Sequence, residues 1–178
     1  MDYAVAKLHI HSKNINPFIP FEDGKSETSV GTAFFISDTM LLTCYHCINE
    51  HINMFISLPQ RSRKEYKVVH LASIPEYDIS LIEIVDKIDH TQLELGNSQD
   101  VQQLDNVIVL GYPLDSDSLK YTKGIISGKF KEFIQTDAPI NEGNSGGPLL
   151  KDGKVIAINS GKFTIGENMG LSIPLHKT

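Results

Sequence analysis

Apolar and polar positions alternate along most of this chain in short runs, and Gly, Pro, Asn and Asp interrupt the runs. Alternation with a period of two buries one face of a strand, so the pattern predicts β-strands joined by turns. Six runs lie before residue 85, at 3–10, 30–36, 40–43, 53–58, 66–74 and 79–84. Six more follow at 107–110, 121–128, 130–136, 148–150, 155–159 and 169–173. Between the two sets, residues 86–106 carry few β-branched residues and many turn formers, which reads as a connection. The chain thus divides into an N-terminal lobe (1–88), a linker (89–106) and a C-terminal lobe (107–178). Helical periodicity is confined to 47–51, part of the linker and the last few residues. The predicted class is all-β. So many short strands without alternating helices are best accommodated in closed or nearly closed antiparallel barrels, which leave no edge unpaired. Residues 12–29 hold two prolines, a glycine and several charges, and are expected to run over the surface.

Composition removes several function classes. Sixteen Lys and Arg stand against 22 Asp and Glu, and the densest basic cluster is Arg61-Ser62-Arg63-Lys64. Nucleic-acid binding normally needs a basic face, so a nucleic-acid partner is not expected. No stretch approaches the roughly 20 apolar residues that would cross a bilayer as a helix, so no membrane partner is expected either. The N-terminus, Met1 to Lys7, has no basic segment followed by an apolar one and does not read as a secretory signal. The only cysteines, Cys44 and Cys47, enclose too short a segment to gain much from cross-linking. Both features point to a reducing, cytoplasmic compartment.

The sharpest chemical signal is Gly143-Asn144-Ser145-Gly146-Gly147-Pro148-Leu149, a serine among glycines before an apolar strand. Glycines admit backbone conformations that side chains forbid and let a substrate carbonyl approach closely. The N–H groups of the Gly143, Asn144, Ser145 stretch, Gly143 and Ser145 above all, then suit an oxyanion hole. A serine is a poor nucleophile without a base, and the base needs an orienting partner. Leu41-Leu42-Thr43-Cys44-Tyr45-His46 offers the base where an apolar strand ends. Tyr77-Asp78-Ile79-Ser80-Leu81-Ile82 offers the acid at the mouth of an alternating strand. The serine motif also satisfies the G-x-S-x-G elbow of α/β-hydrolases, but there the acid and histidine follow the serine. Only 33 residues follow Ser145, and no βαβ alternation precedes it. A subtilisin order would need Asp2, Asp23 or Asp38 ahead of His46 in a parallel sheet, which the pattern does not supply.

The order His46, Asp78, Ser145 is that of chymotrypsin. The chain resembles trypsin-like peptidases of the chymotrypsin superfamily, nearest to HtrA/Deg-type proteases. The matching pieces are Gly31-Thr32-Ala33-Phe34-Phe35-Ile36, the His46 and Asp78 segments, Gly111-Tyr112-Pro113, and Lys123 to Gly128. Gln135 to Asn141, the Ser145 motif, Val155 to Asn159 and Gly170-Leu171-Ser172-Ile173-Pro174 complete the set, all in family order. The resemblance implies two six-stranded antiparallel Greek-key barrels with the active site in the cleft between them. It implies a serine endopeptidase acting on protein or peptide substrates through an acyl-enzyme, with no cofactor.

Departures from the family pattern refine this. Asn144 replaces the aspartate that in secreted digestive members pairs with a freed N-terminus, so activation by zymogen cleavage is not expected. The residue six before the serine, at the base of the primary pocket in this superfamily, is Pro139, beside Ala138 and Ile140. An apolar base leaves an ammonium or guanidinium unpaired, so small or medium aliphatic P1 residues are expected rather than Lys or Arg. Ile158 and Leu171 are expected as walls, and Asn159 and Ser160 are counted with the substrate-binding residues. Glu142 stands where HtrA-like proteins commonly carry proline and would favour basic residues at the rim. A structural zinc needs four ligands, and no second cysteine pair exists, so Cys44 and Cys47 read as inert thiols with no metal, oxidation sensitivity being the further reading. His9 and His11 share one strand face and read as surface residues. Two further readings stand beside a minimal protease: a catalytically silent binding domain, and the protease module of a larger protein with additional domains or an activating partner. The sequence ends at Thr178, directly after the last family motif, with no room for a PDZ domain.

Overall fold

The structure, a computed structural model, describes residues 3–13, 26–161 and 169–175. Twelve strands form two closed antiparallel barrels of six. The first comprises β1 (Val5–Lys13), β2 (Ser26–Phe35), β3 (Met40–Cys44), β4 (His51–Ser57), β5 (Glu65–Ile74) and β6 (Ile79–Ile84), closing in the order β1-β2-β3-β6-β5-β4. The second comprises β7 (Asn106–Gly111), β8 (Lys120–Phe130), β9 (Phe133–Thr136), β10 (Pro148–Lys151), β11 (Lys154–Ser160) and β12 (Gly170–Pro174). Its order, β10-β11-β12-β9-β8-β7, repeats that of the first. Among the described residues no helix is long and apolar enough to cross a membrane.

Period-two alternation explains where the cores sit. In the first barrel Leu8, Ile10, Ala33, Phe35, Leu41, Met54, Ile56 and Ile82 point inward. Val107, Val109, Ile126, Ile134 and Leu149 do so in the second. The intervening positions Val5, Phe34, Leu42, Cys44, Leu110, Leu150, Val155 and Ile158 are buried too, because the barrels press together on that side. Strands at this seam are covered on both faces and read as continuous apolar runs. Truncating Phe34, which is fully buried there, would cost about 3–5 kcal/mol. Lys7 Nζ, almost wholly buried on the outside of β1, reaches Asp115 Oδ1 of the second lobe at 2.7 Å. The connecting segment touches both barrels, with Leu93 N–H on the Phe35 carbonyl (2.9 Å) and Gly96 N–H on the Val155 carbonyl (2.7 Å).

Three expectations change. The surface loop is shorter than predicted, because its ends belong to the sheet: Ser12 pairs with Glu27 and Lys13 with Ser26. Residues 14–25, like the final three given a helical turn, lie outside the described residues. The helical turn expected at 47–51 is α1 (Tyr45–Ile48) and contains His46, while His51 opens β4. His9 and His11 are half-buried rather than on open surface. His9 Nε2 lies 2.8 Å from Ser57 Oγ, and burial, against an opposing effect of Glu65, lowers its pKa.

Candidate active site

His46 and Asp78 come from neighbouring strands of one barrel, since Cys44 at the end of β3 pairs with Ile79 at the start of β6. The chain leaves β3 through the single turn of α1, whose first N–H, from Tyr45, donates to the Asp78 carbonyl at 3.0 Å. Asp78 follows a 3-10 turn, Pro75–Tyr77, in the left-handed conformation (φ 54°, ψ 38°), which aspartate tolerates better than most residues. Its carboxylate clasps His46 at two points. Oδ1 accepts the His46 backbone N–H (2.7 Å), and Oδ2 accepts the ring Nδ1–H (2.6 Å) and the Ser160 hydroxyl (3.4 Å). A buried carboxylate is tolerable only when satisfied in this way. Holding the proton on Nδ1 leaves Nε2 as the ring nitrogen that can accept one.

Ser145 belongs to the other barrel, in the β9–β10 loop, and the first barrel grips that loop. Thr32 N–H donates to the Ser145 carbonyl (3.0 Å), and Thr32 Oγ1 donates to the Gly143 carbonyl (2.7 Å) while accepting Tyr112 N–H (3.2 Å). From β11, the Asn159 carbonyl accepts Gly146 N–H at 2.9 Å. Gly143 and Gly146 have φ of +96° and +92°, and a Cβ on Gly146 would lie 2.1 Å from the Thr32 carbonyl oxygen. Only glycine fits there. Among the described residues no acceptor takes the N–H of Gly143 or Ser145. Asn144 differs from the expectation, because its N–H is turned into the loop toward the Asn141 carbonyl at 3.0 Å. Two N–H groups, not three, are therefore available to an oxyanion. Among the described residues the Asn144 side-chain Oδ1 is buried without a partner.

The two halves meet without a hydrogen bond between Ser145 and His46 among the described residues. Ser145 Oγ instead accepts Gly161 N–H at 2.8 Å, and the atom recorded against His46 Nε2 is Cys47 Sγ, at 3.9 Å. Catalytic hydrogen bonds are commonly loose in unliganded enzymes and tighten around substrate. Burial draws the His46 pKa down, but hydrogen bonds to Asp78 and Cys47 outweigh it and push it up to about 9. The Cys44 hydrogen bond, against burial and together with His46, lowers Cys47 to about 6. Burial raises the Cys44 thiol well above its ordinary value. The lowered Cys47 thiol favours the further reading, oxidation sensitivity, at that position.

The expected pocket residues separate. Pro139 and Glu142 are exposed, and Ile140, half-buried, packs over Gly170. Ile158 is not a pocket wall. β11 is covered on both faces, and Ile158 lies wholly in the seam between the barrels. Asn159 is likewise fully buried and committed to structure, with Nδ2 on the Pro148 carbonyl (3.0 Å) and Oδ1 accepting from Ser172 (3.0 Å). Ser160 is buried against Asp78, and Leu171 is buried in β12. Cys44, His46 and Asp78 bring donor atoms within 4.8 Å of one another, but the Nδ1–Oδ2 hydrogen bond already occupies two of them, and we assign no metal ligands. Sequence reasoning missed Thr32, Cys47 and Gly161, and Thr43, whose hydroxyl donates to the Thr32 carbonyl at 2.8 Å beside Gly146. Thr32 stood in a quoted motif, yet nothing in the sequence told that it would meet Gly143 and Ser145 across the seam.

The family model of the trypsin-like peptidase domain matches residues 31–158. Among similar proteins is a "Probable periplasmic serine endoprotease DegP-like" of Pseudomonas fulva, 37% identical, covering 83% of this chain and 32% of that protein. A protein of the same description from Pseudomonas savastanoi is 38% identical over 86% of this chain and 34% of its own length. Do-like 13 of Arabidopsis thaliana is 32% identical over 96% of this chain and 37% of its own length. The chain thus spans about a third of the length of these relatives.

Proposed function

Because the chain belongs to the family of trypsin-like peptidase domains, we propose that it is a serine endopeptidase in which Ser145 is the nucleophile, His46 the general base and acid, and Asp78 the group that orients His46. The observation that carries this reading is the two-point clasp of Asp78 on His46, which fixes the ring with Nε2 as the nitrogen that can accept a proton. In the reaction, Ser145 Oγ attacks the substrate carbonyl carbon while His46 Nε2 takes its proton. Negative charge gathers on the carbonyl oxygen, where the Gly143 and Ser145 N–H groups stabilise it, each donor worth about 2.7–4 kcal/mol. His46 then protonates the leaving amine, an acyl-enzyme remains, and water enters by the same base. Asp78 stabilises the imidazolium without itself taking the proton. Gly161 releases Ser145 Oγ when a substrate strand enters.

The exposed Pro139 and the half-buried Ile140 next to the Ser145 loop support small or medium aliphatic P1 residues, since a Lys or Arg head would find no partner on them. The test is a peptide library given to wild type, Ser145→Ala and His46→Ala. Wild type is expected to cleave after aliphatic residues and both variants to lose cleavage. Cleavage that persists in Ser145→Ala would refute the assignment.

A further inference from the structure

Cys44 and Cys47 have no part in the mechanism above, yet they bracket its base. Cys44 is the last residue of β3 and the extended N-cap of α1, and Cys47 is the third residue of that turn. Cys44 Sγ also lies within 4.8 Å of a His46 ring nitrogen, so both sulfurs border the ring. Cys44 is fully buried, its Sγ on the Asn159 carbonyl at 3.2 Å. Cys47 is half-buried, and its Sγ lies 3.9 Å from His46 Nε2 and 3.7 Å from the Ser145 carbonyl oxygen. A half-buried thiol beside the base, with a fully buried thiol behind it, is the arrangement of an attacking and a resolving cysteine.

We propose that Cys44 and Cys47 are a dithiol–disulfide pair oxidised by hydroperoxides, and that its state sets the protonation of His46 and hence the pH range of the peptidase. The proposal rests on the reading of His46 as the base. In the reduced protein the Cys47 thiolate and the His46 imidazolium form an ion pair, consistent with the directions in which both groups are shifted. His46 then keeps the proton it must lose to act as a base. With a hydroperoxide, the Cys47 thiolate attacks one peroxide oxygen. The O–O bond breaks, the oxygen stays on sulfur as sulfenic acid, and the departing alkoxide or hydroxide takes a proton to become alcohol or water. Cys44 sulfur then attacks Cys47 sulfur, and the expelled hydroxide leaves as water with the Cys44 proton. Two sulfurs have lost two electrons, and the peroxide has gained them. The disulfide is uncharged. Among the described residues the titratable groups facing His46 are Asp78 beside β6, Cys44 on β3 and Cys47 on α1, and of these only the Asp78 carboxylate still favours the imidazolium.

The test compares protein treated with hydrogen peroxide and with a dithiol reductant. On Ser145→Ala, intact mass and the NMR titration of the His46 ring, assigned by its loss in His46→Ala, report on the pair whether or not Ser145 is the nucleophile. Oxidation is expected to remove about 2 Da, the two thiol hydrogens, and to lower the His46 pKa by about one to three units. Cys47→Ala should show the lowered value without peroxide and no response to it. Cys44→Ala should stop at a sulfenic acid that a carbon nucleophile traps. On wild type, the pH dependence of fluorophosphonate labelling should move down with the ring. Failure to lose the two hydrogens overturns the pair, and an unchanged His46 titration overturns its control of the base. Labelling that fails while both respond would count against the peptidase reading alone.

Discussion

Asp78 and His46 are held together within one barrel, whereas the Ser145 loop is held by both. The first pair sits on adjacent strands, and a two-point carboxylate contact defines the ring without help from the second lobe, apart from the Ser160 hydroxyl. The Ser145 loop is bonded to its own barrel through Asn159 and Gly161 and to the other barrel through Thr32, 111 residues away from Gly143. The base is therefore a local construction, and the nucleophile an interfacial one. Disturbing the seam should misplace Ser145 while leaving the His46–Asp78 contact intact.

The largest effect is the one that does not distinguish the two halves. Ser145→Ala and His46→Ala should each lower kcat by about 10⁶, because the members act as a unit, as peptide hydrolysis rates would show. Asp78→Asn keeps the shape but releases the Nδ1 tautomer, and should cost about 10⁴ in kcat; a loss no larger than tenfold would mean another group orients the ring. Next comes pH. The base must be neutral to accept a proton, and His46 holds its proton up to about 9. The acid limb of kcat/KM in the reduced protein should therefore lie near that value, with about tenfold lost per unit below it. A limb near the ordinary histidine value would show that Cys47 does not act on the ring. The smallest effect sharpens the comparison most. Thr32→Val deletes the hydroxyl between Gly143 and Tyr112, and should cost about 1–3 kcal/mol of stability in denaturant unfolding. It should reduce kcat more than it changes KM and leave the His46 titration where it was.

What was legible in the sequence follows the same division. Alternating runs gave twelve strands within a few residues, because each strand buries one face and turn formers separate them. The chain order of His46, Asp78 and Ser145, with glycines around the serine, carried the resemblance to a family whose model then matched the chain. Position across the seam was not legible. Ile158 and Asn159 were expected at the substrate and are buried instead, because a register shift between Leu149 and Leu150 and the covering of both faces of β11 decide which side each presents. The α1 turn begins earlier than the pattern suggested, since a hydrogen bond from Tyr45 to the Asp78 carbonyl, distant in sequence, sets its start. The state of Cys47 depends on its distance to His46 Nε2, which no spacing of residues encodes.

The central claim is that Ser145, assembled across the seam, is the nucleophile that His46 activates. Its most direct measurement is the site of covalent attachment of a fluorophosphonate, mapped by peptide mass spectrometry in wild type and His46→Ala. The account predicts one adduct in wild type, on Ser145, and its loss in His46→Ala. An adduct on another residue, or equal modification of Ser145 without His46, would contradict it.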